Sequence, residues 1–206
     1  MNFKILSIAT LIFPLLAFAA DTIKFDTPPA KLDKDVMQAF NARKSAQGFT
    51  EKVVPMKEVG NILWAANGIN RPETGDRTAP SALNKQDVEL YVFDKQNVYH
   101  YDHKAHALNL VVKGDHRDLF TERMKTPVII LLVSDVSKFT YGSAEDQKVT
   151  GALDAGIVSE NISLYCAGAG IDTRVRASMD KSGLQKLLKL NDKQIPMLNH
   201  AIGYEK

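Results

Sequence analysis

The sequence predicts an α+β fold in which helices flank one sheet. Two helical segments precede a run of closely spaced strand signals, and a long apolar helical segment then separates that run from the last strands. Helices and strands that cluster in this way favour an α+β architecture over a doubly wound parallel sheet, in which they alternate.

Length and composition fit one domain without an electrostatic bias. The 206 residues are 45% hydrophobic and 24% charged, which suits a single globular core. The 26 Lys and Arg nearly balance the 24 Asp and Glu, and the net charge is +2. This charge gives no reason to expect nucleic acid or an anionic membrane surface as a partner.

The first 19 residues have the layout of a secretory signal peptide. MNFKILSIATLIFPLLAFAA combines one Lys with an apolar run, and Ala17 and Ala19 provide small residues at A-x-A spacing. The run is shorter than the roughly 20 apolar residues that a transmembrane helix needs. We therefore expect a signal peptide at 1–19, export to the periplasm or the medium, no stable membrane anchor, and a single domain at 20–206.

Helical periodicity predicts two helices at the start of this domain. Segment 33–45 places three apolar side chains on one face of a helix, and segment 56–67 repeats this spacing. Gly68 follows directly and is a candidate C-cap.

Strand signals and one long helix follow. Segment 88–93 predicts a strand, 97–101 and 107–112 predict a hairpin, and the unbroken apolar run at 127–133 predicts a central strand buried on both faces. From about 146 to 169 the helix is apolar on much of its circumference, so we expect it to be buried all round, in a dimer interface. The last predicted elements are a strand at 173–178, a helix at 181–190 and a strand at 195–203.

Common signatures of nucleotide, hydrolase and zinc sites are absent from the sequence. It contains no GxGxxG or Walker loop, no nucleophile elbow and no HExxH pair. A functional assignment must therefore come from less specific groups of residues.

Cys166 is the one cysteine and lies in the apolar stretch NISLYCAGAG. An exported chain with one thiol cannot form an internal disulfide. We expect a buried structural thiol rather than a nucleophile.

Three histidines, His100, His103 and His106, follow one another in YHYDHKAHAL. Their spacing suggests a metal site, but a turn between His100 and His106 would separate them, and no Cys or second His pair completes a ligand set. We therefore predict surface histidines and no metal.

Arg43, Lys44, Ser45 and Gln47 lie at the predicted end of the first helix. Two cations and a hydroxyl within one turn suit a phosphate, which accepts charge-assisted hydrogen bonds. Cations in a last helical turn also complement the helix dipole, so both interpretations stay open.

The strand at 88–93 is entered through the polar run RTAPSALNKQ. Asn84 and Gln86, with Ser81 nearby, each present a donor and an acceptor, as recognition of an imide-like ring edge requires. A turn with local Ser and Asn capping explains the same composition.

A fourth group lies in DTRVRASMD, where Arg174 and Arg176 precede the small pair Ala177 and Ser178. Small side chains allow a ligand to approach the backbone N–H groups. An exposed strand face with alternate charges is the other interpretation.

Taken in order, these segments resemble the nitroreductase superfamily of FMN-dependent oxidoreductases, especially its azoline-oxidase branch. The resemblance covers about residues 43–204. Its most specific parts are LWAANGINR and RTAPSALNKQDVELYV, and its weaker parts are RKSAQGF, DAGIVSENISLYCAGAGI and the closing IGY.

The resemblance implies a homodimer with a mostly antiparallel sheet, a long dimer helix and FMN bound between the subunits. Nine residues fall at the family's cofactor contacts, in three groups. The phosphate and ribityl group is Arg43, Lys44, Ser45 and Gln47. The group at the pyrimidine edge is Ser81, Asn84 and Gln86, and the group near N5 of the flavin is Ala177 and Ser178.

In function, the resemblance implies an exported FMN-dependent oxidoreductase that passes a hydride or electrons through the flavin to a small organic acceptor. The flavin carries this chemistry, so no side chain is assigned as catalytic. Nicotinamide cofactors are cytoplasmic, so we expect a membrane or periplasmic electron donor. The alternative is a non-catalytic periplasmic protein that binds flavin or another planar ligand on the same fold.

Three features depart from the family pattern. Gln47 stands where a second basic residue is common, the small pair is Ala-Ser rather than glycine-containing, and the sequence stops at Lys206 without a longer basic segment. Arg71, Arg77 and Lys206 are candidates to supply the missing phosphate contacts.

Overall fold

The computed structural model describes residues 22–120 and 126–206. The predicted signal peptide, 1–19, lies outside the described residues, so cleavage and export stay predictions. Within the two described ranges, no helix is both long and apolar enough to span a bilayer.

Helices and strands in these ranges form the predicted α+β arrangement. The helices are α1 (Val36–Ala42), α2 (Met56–Asn67), α3 (Ala144–Ala169) and α4 (Lys181–Leu188). The strands are β1 (Thr22–Lys24), β2 (Ile69–Arg71), β3 (Asp76–Arg77), β4 (Val88–Phe93), β5 (Asn97–Asp102), β6 (Ala107–Lys113), β7 (Val128–Asp135), β8 (Asp172–Arg176) and β9 (Gln194–Gly203).

Seven of the strands form one antiparallel sheet in the order β1-β6-β5-β4-β7-β9-β8. The predicted hairpin is confirmed as β5 and β6, and β2 pairs with β3 in a separate hairpin. β7 lies between β4 and β9, and all but its last residue is buried. The predicted central strand is therefore confirmed, and its unbroken apolar run reflects cover on both faces.

The sheet supplies alternate side chains to two cores, because successive residues of a strand point to opposite faces. α2 and α3 cover one face, where Leu90 and Ile130 belong to the same cluster as Ile162. α4 covers the other face, where Leu131 and Leu184 share a second cluster.

α2 has the predicted bounds and ends at Gly68, as expected. The Gly68 N–H donates a hydrogen bond of 2.8 Å to the carbonyl of Trp64, but its φ is −77°, outside the left-handed region. A Cβ at this position would lie 2.4 Å from Trp64 Cδ1, so the close approach of the Trp64 ring requires glycine here.

α1 is shorter than predicted and exposes its apolar face. Asp35 caps the helix by accepting a hydrogen bond from the Gln38 N–H, and the Gln38 side chain accepts one from the Asp35 N–H. Val36, Met37 and Phe40 are each more than half exposed in the single chain.

α3 confirms the predicted long helix, but it is not buried all round in the single chain. Its sheet-facing side is buried, whereas Val149, Leu153 and Ile157 are exposed, and Leu153 is 66% exposed. These three residues recur every fourth position and form one apolar stripe, which we call the α3 stripe.

Candidate functional site

The 43–47 segment is extended and lies against β8 and β9 rather than within a helix. Arg43 has φ −61° and ψ 122°, and α1 has no basic residue in its last turn. The helix-dipole interpretation stays open for Arg43, which is the C-cap residue of α1, but it does not apply to Lys44, which lies beyond the helix. The Ala46 N–H donates to the Thr173 carbonyl at 3.0 Å, and Ala46 packs in a cluster with Phe49 and Ala201.

Glu205 organises the polar groups of this segment. Its carboxylate accepts a hydrogen bond of 2.8 Å from the Gln47 N–H and forms an ion pair with Lys44. The hydrogen bond with Lys44 lowers the pKa of Glu205 and raises the pKa of Lys44. Lys44 is thus engaged within the chain, while no acidic side chain pairs with Arg43 in the described ranges.

The backbone of the 81–86 loop is unusual. A 3-10 turn covers Ala82–Asn84, and Leu83, Asn84 and Gln86 have φ angles of 51°, 52° and 50°. Residues with a side chain rarely adopt this left-handed conformation, and such residues cluster at ligand sites. Leu83 is also exposed at the tip of the loop.

Side-chain hydrogen bonds bring Ser81, Asn84 and Gln86 together. The Gln86 N–H donates to Ser81 Oγ at 2.8 Å, and Asn84 Nδ2 donates to Asp76 Oδ1 at 2.9 Å. Hydrogen bonds from Thr74 and Asn84 lower the pKa of Asp76. The residues predicted to face the pyrimidine edge therefore form one cluster, which is anchored to the β2–β3 hairpin.

A buried carboxyl pair lies beneath this loop. Asp154 on α3 accepts a hydrogen bond of 2.9 Å from the Ala82 N–H, and Asp87 accepts one of 2.5 Å from Ser134 Oγ. Burial raises the pKa of Asp87 to about 7; the Ser134 hydrogen bond opposes this rise, and the Asp154 carboxyl adds to it. Sequence analysis missed the pair, because residues this far apart share no periodic spacing.

Ala177 and Ser178 follow β8 and are exposed at the edge of the sheet. Asn199 Nδ2 donates to the carbonyls of Arg176 and Ser178, both at 3.2 Å. Beyond Arg176, these hydrogen bonds from the Asn199 side chain replace the backbone pairing between β8 and β9. The strand therefore ends at Arg176, two residues before the predicted end at 178.

Two cavities in the described ranges are lined by residues from different groups of predicted cofactor contacts. A cleft of about 420 Å³ is lined by Gln86, Arg77 and His100, among others. A second cavity of about 150 Å³ is lined by residues that include Lys44 and Asp172. The residues predicted for the phosphate and those predicted for the pyrimidine edge thus lie in separate places on one chain.

The three histidines of this segment differ in burial, because His103 is buried whereas the other two are half-buried. His100 Nε2 and His103 Nε2 lie 3.0 Å and 3.3 Å from Glu89 Oε2, and His103 Nδ1 lies 2.9 Å from the Asn67 carbonyl. The surface prediction is therefore wrong for His103, which is buried. Burial alone would raise the pKa of Glu89, but hydrogen bonds with His100 and His103 and the charge of Lys138 lower it.

Over residues 22–120 and 126–206, no group of three or more His, Cys, Asp or Glu is arranged to hold a metal ion.

Cys166 is fully buried in the core between α3 and the sheet. Burial raises the pKa of its thiol, which suppresses the reactive thiolate. The predicted burial of this thiol is confirmed.

The three candidate replacements for the phosphate contacts lie in different places. Arg71 pairs with Asp76 at 3.3 Å, and Arg77 Nη1 donates to the Val88 carbonyl at 3.2 Å. The Lys206 N–H donates to the Gly48 carbonyl at 3.4 Å. Of the three, Lys206 is the one beside the 43–47 segment.

An antiparallel seven-stranded sheet with a 26-residue helix packed against it defines the class of this protein as an α+β fold. The sequence profile of the Nitroreductase family matches residues 41–204. The chain belongs to the nitroreductase family.

Solved structures share this fold. A candidate nitroreductase from Ralstonia eutropha is 29% identical, with 90% of each chain covered and a TM-score of 0.84. A chain of the Escherichia coli microcin synthetase complex is 19% identical over 80% of this chain and 70% of its own, with a TM-score of 0.70. A candidate NAD(P)H:FMN oxidoreductase from Staphylococcus epidermidis is 17% identical over 85% and 89%, with a TM-score of 0.63. A search of curated proteins found no match.

Proposed function

We propose that this protein is an exported flavin oxidoreductase that binds FMN between two subunits and reduces a small organic acceptor. Membership of the nitroreductase family supports an oxidoreductase of the flavin type. The name of the Staphylococcus epidermidis neighbour, which includes FMN, supports the choice of cofactor.

The observation that carries the proposal is that one predicted cofactor group directly follows an exposed apolar face and another is bonded to the helix that carries the α3 stripe. The 43–47 segment directly follows α1, whose apolar face is exposed, and the 81–86 loop is hydrogen-bonded to α3 through Asp154. α1 packs against α3, which carries the α3 stripe. A second copy that covers these faces would bury them and add its own polar groups to a shared site.

The residue types present fit the parts of FMN. Arg43 and the Ser45 hydroxyl suit a phosphate, and the amides of Asn84 and Gln86 suit the donors and acceptors of the pyrimidine edge. The left-handed backbone of the 81–86 loop supports a ligand site that is formed in advance of binding.

The chain's own residues would bind and orient the cofactor. Arg43 and Ser45 would hold the phosphate, while the backbone of Ala177 would approach the ring near N5. The small side chains of Ala177 and Ser178 would leave one ring face open to an acceptor. When bound, FMN supplies the hydride or electron transfer.

Export and the electron donor are part of the same proposal. The composition of residues 1–19 supports export, and an exported enzyme would meet a membrane or periplasmic donor rather than a nicotinamide. The resemblance of LWAANGINR and RTAPSALNKQDVELYV supports the azoline-oxidase branch.

The test is anaerobic reduction of the FMN-loaded protein with dithionite, followed by addition of a quinone or a nitroaromatic compound. We expect the absorbance of oxidised flavin to return on mixing, at a rate that rises with acceptor concentration and exceeds that of free reduced FMN. A protein that binds FMN but reoxidises no faster than free FMN would contradict the oxidoreductase assignment and favour a binding protein.

A further inference from the structure

Glu205 neutralises one of the two cations in the 43–47 segment. An FMN phosphate bound at this segment would therefore need a further cation nearby. Gln47 is neutral, and its backbone N–H is already bonded to Glu205. The cation that Glu205 neutralises is Lys44, through their ion pair. Arg43 is then the one cation of this segment without an acidic partner in the described part of the chain.

Arg174 on β8 lies against this segment. Its Nη1 donates a hydrogen bond of 3.3 Å to the carbonyl of Ala46, and the side chain is half-buried. The neighbouring residue Thr173 accepts the hydrogen bond from the Ala46 N–H, so both backbone groups of Ala46 are tied to β8. A guanidinium has five N–H donors, and one hydrogen bond leaves most of them available.

Arg176 adds a second positive charge on the same face of the edge strand. It lies two residues beyond Arg174, so the two side chains point to the same side of the sheet. Neither residue has a carboxylate within ion-pair distance in the described ranges. Like charges this close repel, and a bound anion would relieve this repulsion.

We propose that Arg174 binds the phosphate of FMN together with Arg43 and so replaces the basic residue that is missing at Gln47. This inference rests on the proposed function, because it assigns one end of the same cofactor. It makes Arg174 a residue that determines specificity for FMN over riboflavin, which has the same ring and ribityl chain but no phosphate.

The test compares FMN and riboflavin binding to Arg174→Gln and to the parent protein by quenching of flavin fluorescence. Gln keeps an N–H for the Ala46 carbonyl, so the 43–47 segment retains its tether. Lys186→Gln is the matched control, because it removes one positive charge from an exposed site on α4. Thermal unfolding of each variant shows whether the fold is intact.

The expected result is that Arg174→Gln raises the Kd for FMN by about tenfold or more, leaves the Kd for riboflavin within about twofold, and reduces the dependence of FMN binding on salt. Lys186→Gln should match the parent. Equal loss of both ligands, or no change in either, would overturn the inference. A parent protein that binds neither flavin would instead contradict the proposed function.

Discussion

The backbone N–H of Ala82 donates a hydrogen bond of 2.9 Å to Oδ2 of Asp154, and this contact joins the 81–86 loop to the middle of α3. The Asp154 side chain is buried, so water does not compete for the bond. The loop that carries the predicted pyrimidine-edge group therefore depends on the helix that carries the α3 stripe.

Replacing Asp154 by Ala should loosen this loop. The half-buried Ala82 N–H would lose its acceptor, which costs at most about 1–3 kcal/mol. Hydrogen exchange at pH 6 should show faster exchange of the Ala82 amide in Asp154→Ala. Asp154→Asn keeps an oxygen acceptor and should retain protection. Equal exchange in the parent and Asp154→Ala would show that the contact does not hold the loop.

Asp87 should make the protein less stable as the pH rises. Its pKa of about 7 in the folded protein exceeds the value near 3.9 of an unfolded Asp, so its contribution to stability is full below about pH 4 and is lost as the pH rises through 7. Asp87→Asn should remove this pH-dependent loss of stability, because an amide side chain does not ionise. The free energy of unfolding of Asp87→Asn relative to the parent should increase by about 2 kcal/mol between about pH 5 and pH 8.

Urea unfolding at several pH values measures this difference. Asp118→Asn, which removes an exposed carboxylate, is the matched control for the loss of one negative charge. A pH-independent difference for Asp87→Asn would mean that the carboxyl pair holds no extra proton.

His200 should stay neutral in the folded protein over the physiological range. Burial lowers its pKa to about 3, and its ring nitrogens lie 2.7 Å from Ser159 Oγ and 3.0 Å from Thr173 Oγ1. NMR should show no titration of the His200 ring between about pH 5 and pH 8, whereas the urea-unfolded protein titrates near 6.5. A folded-state titration in this range would contradict the buried neutral ring.

A charge in the α3 stripe should prevent self-association. Leu153 is its most exposed member, and Leu153→Asp would place a carboxylate in the proposed apolar interface. Light scattering should give a dimer for the parent and a monomer for Leu153→Asp. Val111→Asp, on β6, changes an exposed apolar residue outside α3 and should remain dimeric. A monomeric parent would contradict the proposed interface.

Local patterns predicted the regular elements well. The spacing of apolar residues defined α2 to the residue, because Gly68 ends it, and the apolar run at 127–133 identified β7 as the buried central strand. The bounds of α1 were wrong, since the capping box of Asp35 and Gln38 starts the helix later than periodicity alone suggests.

Long-range contacts could not be predicted in the same way. Lys44 and Glu205 are 161 positions apart, and only the final fold brings them together. The burial of His103 depends on a turn that packs against the end of α2. The nine predicted cofactor residues stay predictions, since a single chain holds them in separate groups.

The measurement that tests the central claim most directly is the visible absorption spectrum of the mature protein after incubation with excess FMN and desalting. The account predicts that the flavin bands remain with the protein, at one FMN per chain, and that Arg43→Ala and Asn84→Ala each reduce the bound fraction while the fold stays intact. A colourless parent protein after desalting, with unquenched FMN fluorescence in a direct titration, would contradict FMN binding and with it the proposed oxidoreductase.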